Sequence, residues 1–145
     1  MYVLMNVIPK RGVDSLLFGM KQKNVIEIIG MPNKKYVDED QNIILIYNNL
    51  KLILTFYEEE DFRLGYIVCA NEEAILFDKK IISAYSSKLS ALFPQFKNWE
   101  VEDFDTFEHH FNEGNWLVLV TEFDIIVKIE IGAIIENDEF VWAYN

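Results

Sequence analysis

The sequence predicts an α+β fold: two tandem units, each a helix and then an antiparallel meander, whose strands form one mostly antiparallel sheet with helices packed on one face. Three observations predict it. Apolar residues recur at helical spacing ahead of Gly30 and Pro32, four β-rich runs separated by polar turns follow, and a shift of 64 residues lays a second such pattern over the first.

The helix is expected over about residues 21–29, where Val25, Ile28 and Ile29 share a face, Gly30 supplies a left-handed stop and Pro32 blocks continuation. Strands are expected at 34–38, 42–48, 50–57 and 63–70, parted by Asp40-Gln41, Asn48-Asn49 and the acidic run Glu58 to Asp61. In the shifted copy Val25 falls on Leu89, Ile29 on Phe93, Leu45 on His109 and Tyr47 on Phe111. The match is one of pattern, with few residues identical. Ile125, Val127, Ile129 and Ile131 alternate with Ile126, Lys128 and Glu130, which predicts a strand with one buried face, and Glu139 to Tyr144 is expected to complete the sheet. At 145 residues one domain, 1–145, is expected, with units at about 12–75 and 76–145.

Composition bounds the function. Apolar runs such as Ile43 to Tyr47 are far shorter than the roughly 20 residues a membrane-spanning helix needs. No membrane partner is expected. The first residues show no secretory pattern, and one cysteine, Cys69, permits neither an internal disulfide nor a cysteine-based zinc site, so a cytoplasmic setting is expected. Net charge is −11, and residues 98–145 carry 12 acids against Lys128 alone. Such a surface repels nucleic acid and attracts a basic partner.

The stretch "KRGVDSLLFGMKQKNVIEIIGMPN" is similar to the PGKGVG, LGM, helix, LGxP opening of a group of small bacterial proteins, and "LFDKKIISAYSSKLSALF" is similar to that group's second helix entry. The chain thus resembles cytoplasmic immunity proteins of polymorphic or contact-dependent growth-inhibition toxin systems, and more distantly the β-lactamase-inhibitor protein and small outer-membrane assembly lipoproteins. The resemblance implies binding of a cognate toxin and no enzymatic activity. It departs at Lys21, where such helices carry a capping Ser, a loss of about 1 kcal/mol of local helix stability.

Candidate chemistry is sparse. His109 lies in phase with Phe107 and Phe111 and is expected to be partly buried, whereas His110, in phase with Glu108, is expected on the polar face with no nucleophile beside it. The acids of "EDFDTFEHH" lack the glycine and spacing of a calcium loop, Cys69 sits in an apolar strand, and no phosphate-binding loop occurs, so neither metal nor cofactor is expected. Toxin contacts are expected at Glu58, Glu59, Asp61, Trp99, Asp103, Asp105 and Glu108, an acidic, aromatic-containing surface suited to a basic, nuclease-type toxin. A small-ligand module around His109 and Trp116, or an adaptor for basic peptides, are the competing expectations.

Overall fold

A computed structural model describes residues 5–96 and 99–145. Among the described residues strands take up 48% and helical turns of every kind 15%. The strands are β1 (Met5–Ile8), β2 (Gly12–Val13), β3 (Leu16–Leu17), β4 (Lys34–Val37), β5 (Ile43–Tyr47), β6 (Leu52–Tyr57), β7 (Arg63–Cys69), β8 (Ala74–Leu76), β9 (Lys79–Lys80), β10 (Glu100–Phe104), β11 (Phe107–Asn112), β12 (Leu117–Glu122), β13 (Ile125–Gly132), β14 (Ile134–Glu136) and β15 (Glu139–Val141). The α-helices are α1 (Gln22–Ile29) and α2 (Leu89–Leu92).

Two four-stranded meanders, β4 to β7 and β10 to β13, join through antiparallel β7 and β13 into one eight-stranded sheet, ordered β10-β11-β12-β13-β7-β6-β5-β4. Its covered face carries Leu45, Leu52, Leu54, Ile67, Leu117, Leu119 and Ile129, each 0 or 1% exposed. What covers that face is a second sheet, ordered β3-β2-β1-β8-β9, in which β1 and β8 run parallel. Its Met5, Val7, Val13 and Leu76 belong to the same core, and Met5 Sδ lies 3.6 Å from Cys69 Sγ. This is sheet on sheet.

The expected α+β arrangement is therefore corrected: the protein is mostly β, without tandem helix-then-meander units whose helices form a layer. The reason is length. Helix α1 spans eight residues and buries only Val25, leaving Ile28 43% exposed, and α2 spans four. Such helices cannot shield eight strands. The segment Gly12 to Met20, expected simply to lead into a helix, instead folds as the tight hairpin β2–β3. Gly12 makes it possible, since a Cβ there would lie 1.8 Å from the Leu16 carbonyl oxygen.

Three further expectations change in detail. The strands of the first meander lie within two residues of their expected bounds, but the 64-residue offset is one short for the middle strands. Leu45, Tyr47, Leu52 and Leu54 correspond on the covered face to His110, Asn112, Leu117 and Leu119, an offset of 65. A one-residue slip exchanges faces, so His110 is the buried histidine, 7% exposed, and His109 lies on the open face with its ring 4.6 Å from that of Phe104. In β13 the register shifts opposite Val120 and Thr121, so that buried Ile126 and buried Ile129 fall out of strict alternation. Residues 139–144 do not complete the sheet. Strand β15 pairs with β14 as a separate hairpin, and Tyr144 N–H then donates to the Phe18 carbonyl at 2.9 Å.

Gly19 receives that C-terminal segment. Its φ is +106°, and a Cβ would meet the Tyr144 oxygen at 2.3 Å. Gly19→Ala is expected to detach the segment, read as loss of hydrogen-exchange protection at the Tyr144 amide with the sheet amides retained. Leu54→Ala, in the middle of the covered face, is expected to cost about 2–5 kcal/mol in chemical denaturation.

Candidate functional site

Seven of the acids meet at one end of the large sheet. The turns β4–β5 and β6–β7 lie side by side there, and Asn42 binds them together by accepting the Glu58 N–H at 3.0 Å. The first turn carries Asp38, Glu39 and Asp40, the second Glu58, Glu59, Glu60 and Asp61, seven carboxylates in all. The Asp38 carboxylate is used internally, accepting the N–H groups of Asp40 and Asn42 at 2.9 Å each. Glu39, Asp40, Glu58, Glu59 and Asp61 are exposed.

Between the turns lies a cleft of about 360 Å³, lined by Asp40, Asn42, Tyr57, Glu59, Glu60 and Phe140. An aromatic strip runs into it. Trp142 stacks on Phe140 with ring centres 4.8 Å apart, and Phe140 meets Tyr57 at 5.8 Å. Burial, and then the negative charge of Asp38, push the Tyr57 phenol above its ordinary pKa, so it stays a neutral donor. Gly65 is what lets Tyr57 lie flat there: a Cβ on Gly65 would come within 2.2 Å of the Tyr57 ring.

Two cations stand beside this end. Arg63 lies over the Trp142 ring at 5.8 Å, and Lys21 Nζ bonds the Asp61 carboxylate at 2.6 Å and also its carbonyl. Lys21 makes no side-chain cap, as the sequence suggests. The Asn24 side chain accepts the Lys21 N–H at 2.9 Å, which satisfies the N-cap residue's own amide from three residues inside the helix.

The expected toxin contacts do not form one surface. Glu58, Glu59 and Asp61 belong to the acidic end just described. Asp103 and Asp105 lie at the opposite end of the sheet and on its opposite edge, in and beside the β10–β11 turn. Glu108 faces Asp103 across the strand pair, and its carboxylate lies 3.3 Å from His110 Nε2 and 3.5 Å from Thr121 Oγ1. Trp99 is partly buried and packs against the core. Asp38, Glu39 and Asp40, absent from the expected contacts, belong to the acidic end, on the turn from edge strand β4. Their signal was local, three acids between two strands, but charge balance over the first 97 residues concealed it.

Other groups are engaged in structure. Cys69 is buried and its thiol is pushed up chiefly by that burial, which leaves it unreactive. Among the described residues no three His, Cys, Asp or Glu side chains are placed to hold a metal. On the open face Trp116 lines an apolar groove of about 230 Å³ under the β14–β15 hairpin, with Tyr66, Phe111, Ile135 and Phe140; His109 is not part of it. The Tyr66 hydroxyl donates to Glu130, and burial first, then that bond, raise its pKa. No described helix is long and apolar enough to cross a membrane.

No protein-family model and no curated protein matches the sequence. Among solved structures the fold is similar to a 1.5 Å crystal structure of an extracellular protein containing an SCP domain from Bacillus anthracis strain Ames. The TM-score is 0.51 at 12% identity over 83% of this chain, which spans 47% of that protein's length. The likeness is one of fold.

The Lys21 contact has a measurable consequence. Hydrogen bonding first, and charge second, hold the Asp61 carboxyl below its ordinary value of about 3.9. Because the folded value is depressed, the contact stabilises above pH of about 4 and its contribution is lost as pH falls through the Asp61 midpoint. An NMR titration should place that midpoint below the ordinary aspartate value, and Lys21→Met should return it upward.

Proposed function

We propose that this protein is a non-catalytic binding module that takes a basic protein partner at the acidic end of its large sheet, and that the partner is a cognate toxin neutralised in the cytoplasm. The observation that carries this reading is the gathering of seven carboxylates on two adjoining turns, around a cleft entered along an aromatic strip. Charge of one sign beside half-buried aromatic rings is what a tight interface needs. The acids speed encounter, to about 10⁸ M⁻¹s⁻¹ or more at low salt, and the rings supply the apolar anchors that slow release.

A nuclease-type toxin holds phosphates with lysines and arginines. Carboxylates set on a rigid sheet end compete for those cations without catalysis of their own. The resemblance of the sequence to toxin-immunity proteins supports the same partner class. The SCP-domain protein contributes a fold and no partner. Relative to the sequence reading, the proposed surface keeps Glu58, Glu59 and Asp61, gains Asp38, Glu39, Asp40, Glu60, Tyr57 and Phe140, and drops Trp99, Asp103, Asp105 and Glu108.

The test is binding to a basic nuclease-type toxin domain co-expressed with this protein. The association rate is expected to fall about ten-fold or more between low and high salt, and Glu59→Lys with Glu60→Lys is expected to reduce it similarly and to abolish protection of co-expressing cells. Asp103→Asn with Asp105→Asn, at the far end, should leave both unchanged. A salt-independent rate, or protection that survives the first pair and fails with the second, rules the proposed surface out.

A further inference from the structure

The large sheet is open at both edges, and the two edges are opposite in charge. Strand β4 carries Lys34, Lys35, Tyr36 and Val37, all exposed, and strand β10 carries Glu100, Val101, Glu102, Asp103 and Phe104, all exposed. Among the described residues no strand pairs with the outer side of either. An uncovered edge presents a row of backbone donors and acceptors to any compatible strand. Here the charges decide which strand is compatible: lysines repel a second β4 and acids repel a second β10, while β4 and β10 attract.

We propose that copies of this protein associate head to tail by adding β4 of one copy to β10 of the next, extending the eight-stranded sheet. Direction agrees. Seven successive antiparallel pairings make β4 run opposite to β10, so a neighbour placed in the same orientation meets β10 antiparallel.

Backbone phase agrees as well. The Asp38 N–H donates to the Asn42 carbonyl at 3.0 Å, and alternation along an antiparallel strand then turns the backbone groups of Lys35 and Val37 outward. On the other edge a two-residue turn closes on the pair Phe104 and Phe107, which must itself be hydrogen-bonded, so Val101 and Asp103 are the residues turned outward. Setting Val37 opposite Val101 satisfies both strands. It also brings two valines that are 55% and 53% exposed into contact and places Lys35 opposite Asp103 on the covered face. On the open face Lys34, held 5.5 Å over its own Tyr36 ring, falls opposite Phe104 and diagonal to Glu102. Asp38 opposite Glu100 is the single like-charge pair of that register.

Such an interface is heterologous and does not close on itself, so the expected species are linear oligomers that lengthen with concentration. Sedimentation velocity on the whole chain at low salt should show a weight-average mass that rises with concentration and returns to the monomer near 0.5 M salt, where the Debye length is about 4 Å. Lys34→Glu with Lys35→Glu should give a monomer, as should Glu100→Lys with Glu102→Lys and Asp103→Lys. An equimolar mixture of these two variants should associate again, because each then offers the edge the other lacks. Circular dichroism melts confirm that each variant is folded, and Val37→Pro, which removes an outward N–H without changing charge, should also be monomeric. A wild type that stays monomeric at low salt up to about 1 mM, or charge variants that associate alone as the wild type does, overturns the proposal.

Discussion

Pairing of β7 with β13 is the constraint on which the rest of the structure depends. Ile67 opposite Ile131 and Cys69 opposite Ile129 place apolar side chains of both meanders on the same face. That alignment makes one continuous covered face from two halves, and Gly132 allows the close approach, since a Cβ there would sit 3.3 Å from the Tyr66 ring. With the seam fixed, β4 and β10 become the outer strands. The two acid-bearing turns, already neighbours within the first meander, then lie at one end of the joined sheet, and the β10–β11 turn is carried to the other.

A sheet this wide with one apolar face must be covered, and the chain meets that need with short strands rather than helices. The hairpin β2–β3 and the pair β8–β9 flank a parallel β1–β8 contact, so residues more than sixty positions apart form one covering layer. The cover does not extend over the outermost strands, which is why β4 and β10 are exposed throughout. Exposure of the edges and burial of the centre therefore have one cause, a second sheet narrower than the first.

The two surfaces read for function draw on different physics. At the acidic end, charge is concentrated on turns, where carboxylates remain solvated and free to meet a cationic partner, while Tyr57, Phe140 and Trp142 hold their rings in place by stacking. At the edges, the backbone itself is the binding element and the side chains act as filters on its partner. Lys21 and Arg63 sit close to the acids but are committed, one to Asp61 and the other to Trp142 and the carbonyls of Gly19 and Tyr144, so they do little to offset the remaining carboxylates.

The sequence by itself determined the first meander, because β5, β6 and β7 alternate or run apolar between Asn, Asp and Glu turns, signals that act over a few residues. It also determined that acid would outweigh base and that Cys69 would be internal. Only the tertiary structure decided the class of the fold, since strands of two and three residues such as β2, β3 and β9 carry no readable period and exist because their neighbours supply the other half of each ladder. Phe77-Asp78 and Phe123-Asp124 turn the chain with both residues at positive φ although phenylalanine is not a turn signal. In the first pair, packing of Phe77 against Phe93 and Phe96 stabilises what local preference opposes. The face of His109 and His110 was likewise beyond local reading, because a single residue of register separates burial from exposure. Where the acids gather followed from the strand order β4-β5-β6-β7, which sets the two turns side by side, and adjacency between turns is a property of pairing rather than of local sequence.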